Sequence, residues 1–545
     1  MLSDPTSRRP ERRRSLRSTI RWSYELLFPD DQRGLWALAT FAGGASLPAV
    51  ESVLAALDVP ATAVIDVLSR IASRSLLIVE HEERVSPPAV RYRLLDSIRA
   101  FARESMTDAG LSEHAYAAHA SWFADEARSS TEGVRGRLQA QSLAFVRTER
   151  ANIDAALAWC VSHDLLLGLS IAHGFGWTWV VLGDSRGAQR ILTALDAAGE
   201  ASPVRDRAGS LLLAAWIEAS TGRLELARDH IAAATDLAEA EHDVDLRARC
   251  FYYLAYVVSH HGEFDRAMDL TDRSRALYDG MDRAWDQAAN DLFAARAAIS
   301  AGNQQRGVEA AARVQHWLRK VEDPWLHVRG DAILGELARL QHRFGDAVVH
   351  LGRAADASRR LGFLQTEAYQ TASLGRAQCQ AGDSNAGAAT LQLAVGKAES
   401  TGDVRLAALA RVHLGRALRA IGEARPARAA LEVAAAWHRD AGDGEQAALG
   451  ECLLAAMDAA DRIPGAEERL VRILAGARHR DDAPVEVFAL DALARLAAVA
   501  GDLTGAAELC GAADRRMPAA SHAITDLDRT DAHEVRRIIA AASAD

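Results

Sequence analysis

Along this 545-residue chain the apolar positions follow the three-and-four spacing of amphipathic helices almost throughout. The N-terminal hundred residues have a texture of their own. LRSTIRWSYELLF at 16–28 predicts a helix with Ile20, Tyr24 and Leu27 on one face. Pro29-Asp30-Asp31 then turns the chain into a second helix carrying Leu35, Leu38 and Phe41, which stops at Gly43-Gly44. Short helices follow at about 47–57 and 61–73. LLIVE at 76–80 and VRYRLL at 90–95 are rich in strand formers and flank a loop with Pro87-Pro88, so they predict one β-hairpin. A further helix is expected from about Asp96 to Met106.

Farther on, the pattern repeats. Gly222, Gly262, Gly302, Gly382 and Gly422 stand in multiples of forty, with Gly183 one beat ahead and Gly501 one residue early. His342 and Arg462 occupy the two missing beats. Five residues after the beat comes a small residue in most copies, as at Ala227, Ala267, Ala347, Gly387 and Ala427. Seven before it stand Gly176, Ala215, Ala255, Ala295, Gly335, Gly375, Gly415 and Ala455. Two antiparallel helices joined by a short elbow need a residue tolerating positive φ at the turn and small side chains where the backbones approach. A second set of breaks, Gly280, Asp323-Pro324, Gly362, Gly402-Asp403, Gly442-Asp443 and Ala483-Pro484, lies between the beats. Each repeat therefore reads as helix, elbow, helix and link. One such unit cannot bury its apolar face, so the units must stack.

Composition agrees. The apolar share of 49% leans on Ala and Leu, both strong helix formers, and the length exceeds what one core serves. A net charge of −11 argues against a general nucleic-acid coat but leaves local basic patches open. Cys160, Cys250, Cys379, Cys452 and Cys510 lie far apart without a CxxC pair, which reads as reduced thiols. No apolar run is read as reaching the roughly 18 residues that span a bilayer. The Arg-rich stretch Arg8–Arg21 lacks the uncharged segment that would make it a secretory signal. The expectation is a soluble cytoplasmic protein with no membrane partner.

The small residues and elbow glycines stand at the offsets of the tetratricopeptide repeat (TPR), which residues 164–517 resemble, with a period of forty in place of about thirty-four. HEAT-like packing, whose period overlaps forty, is the alternative. Repeats of this length are similar to those in the sensor arms of large LuxR-type bacterial transcriptional regulators. The stretches LRSTIRWSYELLFPDDQRGLWALATFAGG, YRLLDSIRAFARE and RTERANIDAALAW resemble the winged-helix segment that follows the nucleotide-binding core in bacterial STAND (NB-ARC type) signalling ATPases. That resemblance implies an ATPase core, which these residues do not supply. A P-loop needs GxxxxGK[ST], whose amides and lysine hold phosphates. The chain's two lysines do not fit: Lys320 sits in HWLRKVED, and Lys397 in LQLAVGKAES lacks the first Gly and the Ser/Thr. Where many relatives carry a nucleotide-sensing Met-His-Asp triplet, this chain has Leu94-Leu95-Asp96. No cofactor is expected.

Candidate chemistry is sparse. No GxSxG, HExxH or clustered Cys/His set occurs, so no catalytic or metal residue is assigned. If the N-terminal module reads DNA, the helix at 61–73 presents Arg70 and Arg74, and Arg12, Arg13 and Arg14, beside Arg8 and Arg9, form an electrostatic arm. Trp177, Trp179, Trp216, Trp285, Trp317 and Trp325 concentrate early in the repeats, as packing or as anchors lining a groove. The expected fold is mainly α: an Arg-rich tail (1–15), a winged helix (16–110), a helical connector (111–163), an α-α superhelical TPR-like solenoid (164–517) and a C-terminal helix or cap (518–545). The expected function is a non-catalytic regulatory scaffold or sensor arm that holds a protein or peptide in the solenoid groove, with an NTPase partner in trans. A DNA-binding transcriptional regulator is the alternative.

Overall fold

The computed structural model describes residues 10–82, 89–521 and 523–542. Two compact units emerge: residues up to Phe293 together with Val321–Asp323, and residues from Ala294 onward without those three.

The first unit opens with α1 (Pro10–Glu25), α2 (Pro29–Thr40), α3 (Leu47–Ala55) and α4 (Val64–Ser73). Proline at its first position and Asp30 and Asp31 in its first turn start α2, because the proline needs no N–H partner there and carboxylates suit the helix N-terminus. α4 turns Val64, Val67, Leu68 and Ile71 inward, one helical face. Gly34 of α2 lets it approach, since a Cβ there would lie 2.5 Å from Val67 Cγ1 and 2.7 Å from Ile71 Cδ1. The strands β1 (Ile78–Glu82) and β2 (Ala89–Arg93) pair antiparallel, Ile78 opposite Arg93, and Ala45 bridges to Tyr92. Pro87-Pro88 lies outside the described residues. Next come α5 (Asp96–Asp108), α6 (Ser112–Gly133) and α7 (Gln139–His163). The helical hairpins then begin: α8 (Leu165–Leu182) with α9 (Gly187–Ala198), α10 (Val204–Ser220) with α11 (Leu224–Ala240), and α12 (Val244–His260) with α13 (Phe264–Tyr278).

α8 corrects one expectation. It is 18 residues long with a mean hydropathy of 1.6, so by length and composition it could cross a membrane. Of that stretch 61% is buried inside the protein, where α8 packs against α6, α7, α9 and α10. A helix surrounded by other helices is apolar all round for that reason.

α14 (Ala284–Ser300) carries the chain into the second unit, which continues with α15 (Gln304–Leu318), α16 (Pro324–Leu340), α17 (Phe344–Leu361), α18 (Leu364–Gln380) and α19 (Ser384–Ser400). Then follow α20 (Val404–Ala420), α21 (Ala424–Asp440), α22 (Gly444–Ala460), α23 (Ala466–Arg480), α24 (Ala483–Val499), α25 (Leu503–Ala520) and α26 (Thr530–Ala542).

The forty-residue ladder is the set of elbows. All nine beats take positive φ, including His342 (57°) and Arg462 (58°), which lack glycine's freedom. At Gly422 the chain closes with Gly422 N–H donating to Arg419 O and Glu423 N–H to Leu418 O, at 3.1 and 2.9 Å, satisfying carbonyls that the helix end leaves orphaned. At the links Gly402-Asp403 and Gly442-Asp443, the glycine ends one helix and the aspartate caps the next, accepting from Leu406 N–H and Gln446 N–H. The small residues meet within hairpins. A Cβ on Gly375 would sit 3.1 Å from Gly387 O, and one on Gly387 2.9 Å from Gly375 O.

Candidate interaction groove

One residue along a helix turns about 100° around its axis. The position after the small residue, six before each elbow, is therefore turned away from the partner helix. It reads Trp177, Trp216 and Tyr256 in the first unit, then Arg296, Glu336, Arg376, Arg416, Ala456 and Arg495 in the second. Within a unit, some successive members touch. Trp177 meets Trp216 edge-on at 5.4 Å between ring centroids, Trp216 stacks on Tyr256 at 4.1 Å, and Arg376 Nη2 lies 2.9 Å from Glu336 Oε2. Within each unit the column marks one face, built from the first helix of each hairpin. A search for repeated identities passes over it because its chemistry changes from copy to copy.

In the first unit this face is filled by its own aromatics. Trp285 packs edge-on to Trp177 at 5.0 Å, and the Arg135 guanidinium lies 4.0 Å from the Trp285 ring and 5.0 Å from that of Trp177. Tyr253 and Phe293 close on Trp216, and Tyr252 Oη donates to Asp286 at 3.0 Å. Trp177 and Trp216 are buried, as is Trp179 inside its hairpin. His173 pairs with Ser210 at 3.1 Å; burial, opposed by Asp206 and aided by Arg249 and Arg135, brings it down to about 4. An apolar pocket of about 440 Å³ opens elsewhere in this unit, between α7 and α9, walled by Leu157, Val161, Leu165 and Ala194.

In the second unit the face is ionic. Glu336 holds both Arg339 and Arg376 at 2.9 Å. His413 titrates well below the usual histidine range through burial and the cations Arg376, Arg416 and Arg339. The chain that leaves α25 returns across this face. Ala523 O accepts from Arg416 Nη2 at 3.2 Å, Asp528 pairs with Arg416 at 2.8 Å, and Asp531 pairs with Arg419 and, at 3.4 Å, with Arg495. Arg529 forks onto Asp491 with two bonds of 2.7 Å and reaches Asp514 at 2.5 Å. Arg529 and Asp491 are 2% and 1% exposed, so this pair is desolvated. Burial raises the Asp491 carboxyl even against that guanidinium.

The arginines read as DNA contacts are placed unequally. Arg70 donates from Nε and Nη2 to Asp31 Oδ1 at 2.9 and 2.7 Å, and Asp31 is 1% exposed, so this guanidinium is turned onto α2. Arg74 is exposed at the end of α4. The backbone of Arg12, Arg13 and Arg14 belongs to α1; their side chains, and Arg8 and Arg9 entirely, lie outside the described residues. A polar cluster without a local sequence signal joins two of the stretches that carried the family resemblance to Arg91, which immediately precedes the third. Arg91 of β2 bonds Glu149 of α7 at 2.6 and 3.1 Å and the carbonyls of Gly43 and Gly44 at 3.1 and 3.0 Å. Asn152 accepts from Gly43 N–H and donates to Gly44 O. Among the described residues no three of His, Cys, Asp or Glu gather as metal ligands. The five thiols are free, and burial pushes those of Cys160 and Cys452 up to about 12, out of the nucleophilic range at neutral pH.

No protein-family model matches the chain. Proteins of Mycobacterium tuberculosis (strain H37Rv) and Mycobacterium bovis, provisionally described as HTH-type transcriptional regulators, are 30% identical over 225 residues, 38% of this chain and 24% of theirs. The match spans about a quarter of the length of these curated relatives. Among solved structures, a STAND protein with a tetratricopeptide repeat sensor from Pyrococcus horikoshii aligns with a TM-score of 0.53 at 14% identity, over 84% of this chain and 63% of that one. The apo form of RapI aligns with a TM-score of 0.47 at 11% identity, over 68% of this chain and 98% of that one. The first of these likenesses is one of fold: α-α hairpin repeats.

Proposed function

We propose that the chain is a non-catalytic regulatory arm of a bacterial signalling or transcription-regulatory system, working by holding a protein segment on the first-helix face of its repeats. The observation that carries this reading is the column six residues before each elbow. Core positions keep small or apolar residues from repeat to repeat, whereas this one varies from tryptophan to arginine, as a face does when it is shaped for a ligand. In this reading residues 16–110 are a winged-helix module serving as structural support, and an NTPase acts in trans. The test is affinity capture from a native lysate with nuclease present, comparing the full chain with a full-length Arg376→Glu/Arg416→Glu variant. A protein held by the first and lost by the second supports the reading; stoichiometric ATP hydrolysis by the pure chain refutes it.

The likeness to HTH-type regulators favours a second reading, DNA binding through Arg74 and the arginines of α1. Its signature is affinity that falls steeply with salt and with neutralisation of those arginines. Arg70 contributes little to it while paired with Asp31.

A further inference from the structure

The ionic face of the second unit is covered by its own chain. Residues 523–531 pass over α18 and α20 through a single helical turn at Asp526–Asp528, then join α26 against α24. This segment has the form of a ligand. It adds no hairpin to the repeat, and apart from Ile524, buried, and Ala523, packed on the same apolar cluster, its hold is polar. Its Asp528 and Asp531 take up Arg416 and Arg495, both members of the column, and Arg419 one turn on. Donors remain beneath it: Nε of Arg376 and of Arg416 are buried with no acceptor in reach. Beside it the groove opens into a pocket of about 490 Å³ walled by Arg419, Arg495 and Arg537 together with Asp461, Asp531 and Glu534.

From this geometry we infer that the face is a receptor for an acidic segment of a partner protein, and that residues 523–531 occupy it in cis until the partner displaces them. The inference rests on the reading that the repeats work by holding protein segments, and it names the chemistry of the segment. The order of charges in the resident segment specifies more. Arg529 between the two carboxylates neutralises the buried Asp491, so a competitor without a cation there leaves a buried carboxylate unpaired, which is strongly unfavourable. The partner segment therefore carries carboxylates flanking a basic residue. A resident segment tethered by a few residues has a high effective concentration, so a free peptide displaces it only in large excess or when the segment's hold is weakened.

The test uses the full chain, a full-length Asp528→Asn/Asp531→Asn variant, and a fluorescent peptide of residues 521–533 read by polarisation. The peptide is expected to bind the variant about tenfold or more tightly than the unaltered chain. That binding should vanish when the peptide carries the same two Asp→Asn changes, or when Arg416→Glu is added to the variant. Equal binding to both chains, binding indifferent to the peptide's carboxylates, or none to a variant that melts like the original overturns the inference. Should the variant not fold, hydrogen exchange on the unaltered chain with saturating peptide decides: amides of 524–531 lose protection if displaced, and unchanged protection overturns it. An unstructured oligonucleotide that competes as well as the peptide makes the face a general polyanion site and likewise overturns it. A captured partner that crosslinks to the Arg376 position yet ignores the acidic peptide sinks this inference while leaving the scaffold reading intact.

Discussion

Replacing Gly375 by alanine tests whether small residues set the approach of the helices. In the interior of an exposed helix, Gly→Ala stabilises by about 1 kcal/mol, because alanine loses less backbone freedom. At Gly375 the added Cβ would lie 2.7 Å from Leu391 Cγ and 3.1 Å from both Gly387 O and Leu391 N. The leucine can turn, but two of these atoms are backbone, so α18 and α19 must separate. Overpacking of this kind costs about 1–3 kcal/mol. Gly396, on the exposed side of α19, has nothing within 4 Å of where a Cβ would stand and serves as the control. Helix propensity is common to both substitutions and cancels in the comparison. The two variants should therefore differ by the packing cost alone, about 1–3 kcal/mol, with Gly396→Ala the more stable. Hydrogen exchange of the α19 amides reads this locally, without requiring a two-state transition of the whole chain. The expected difference in opening constants is about fivefold to about 150-fold. If Gly375→Ala protects α19 as well as Gly396→Ala does, the packing argument for the ladder is wrong.

Three further outcomes are expected. Arg462→Gly should stabilise the second unit by up to about 1 kcal/mol, because the left-handed elbow strains any side chain there; a lower urea midpoint would contradict this. His119 and His173, depressed to about 3 and about 4 mainly by burial, stay neutral in the fold while the unfolded chain takes up protons below about pH 6.5. Their stability is thus full above that pH and falls toward the folded values, by about 2 kcal/mol each at pH 5, and His119→Phe should flatten that slope in an acid titration of unfolding. Arg70→Ala leaves Asp31 buried without its cation and should cost about 1–3 kcal/mol, whereas Arg74→Ala should stay within about 0.5 kcal/mol by thermal melting.

The repeats are legible in the sequence because their geometry imposes a period. The register even marks His342 and Arg462 as elbows, where residue identity alone argues against positive φ. Glycine-aspartate links are legible too, since each residue does a separate local job. Four features are not. α8 escapes notice as an apolar run because Gly168, Ser170, His173, Gly174 and Gly176 interrupt it, although its mean hydropathy of 1.6 is high. The column beside the small residues changes from Trp to Arg, so register locates it but identity does not. The return of residues 523–531 depends on ion pairs such as Arg419 with Asp531, 112 residues apart, which no local pattern encodes. Arg91 and Glu149, 58 apart, stay hidden for the same reason.

That last pair has a mechanical consequence. Glu149 and Asn152 sit on α7 facing Arg91 and the Gly43-Gly44 turn, and both charges are nearly excluded from water. Rotating or sliding α7 against the β-hairpin would part the charges in a medium that does not re-solvate them, at a cost well beyond thermal agitation. The joint is a weld and not a hinge. Torque applied to α7 is passed through these side chains to the β-hairpin and to the turn after α2, whereas at the elbows single residues turn the chain and solvent reaches the backbone.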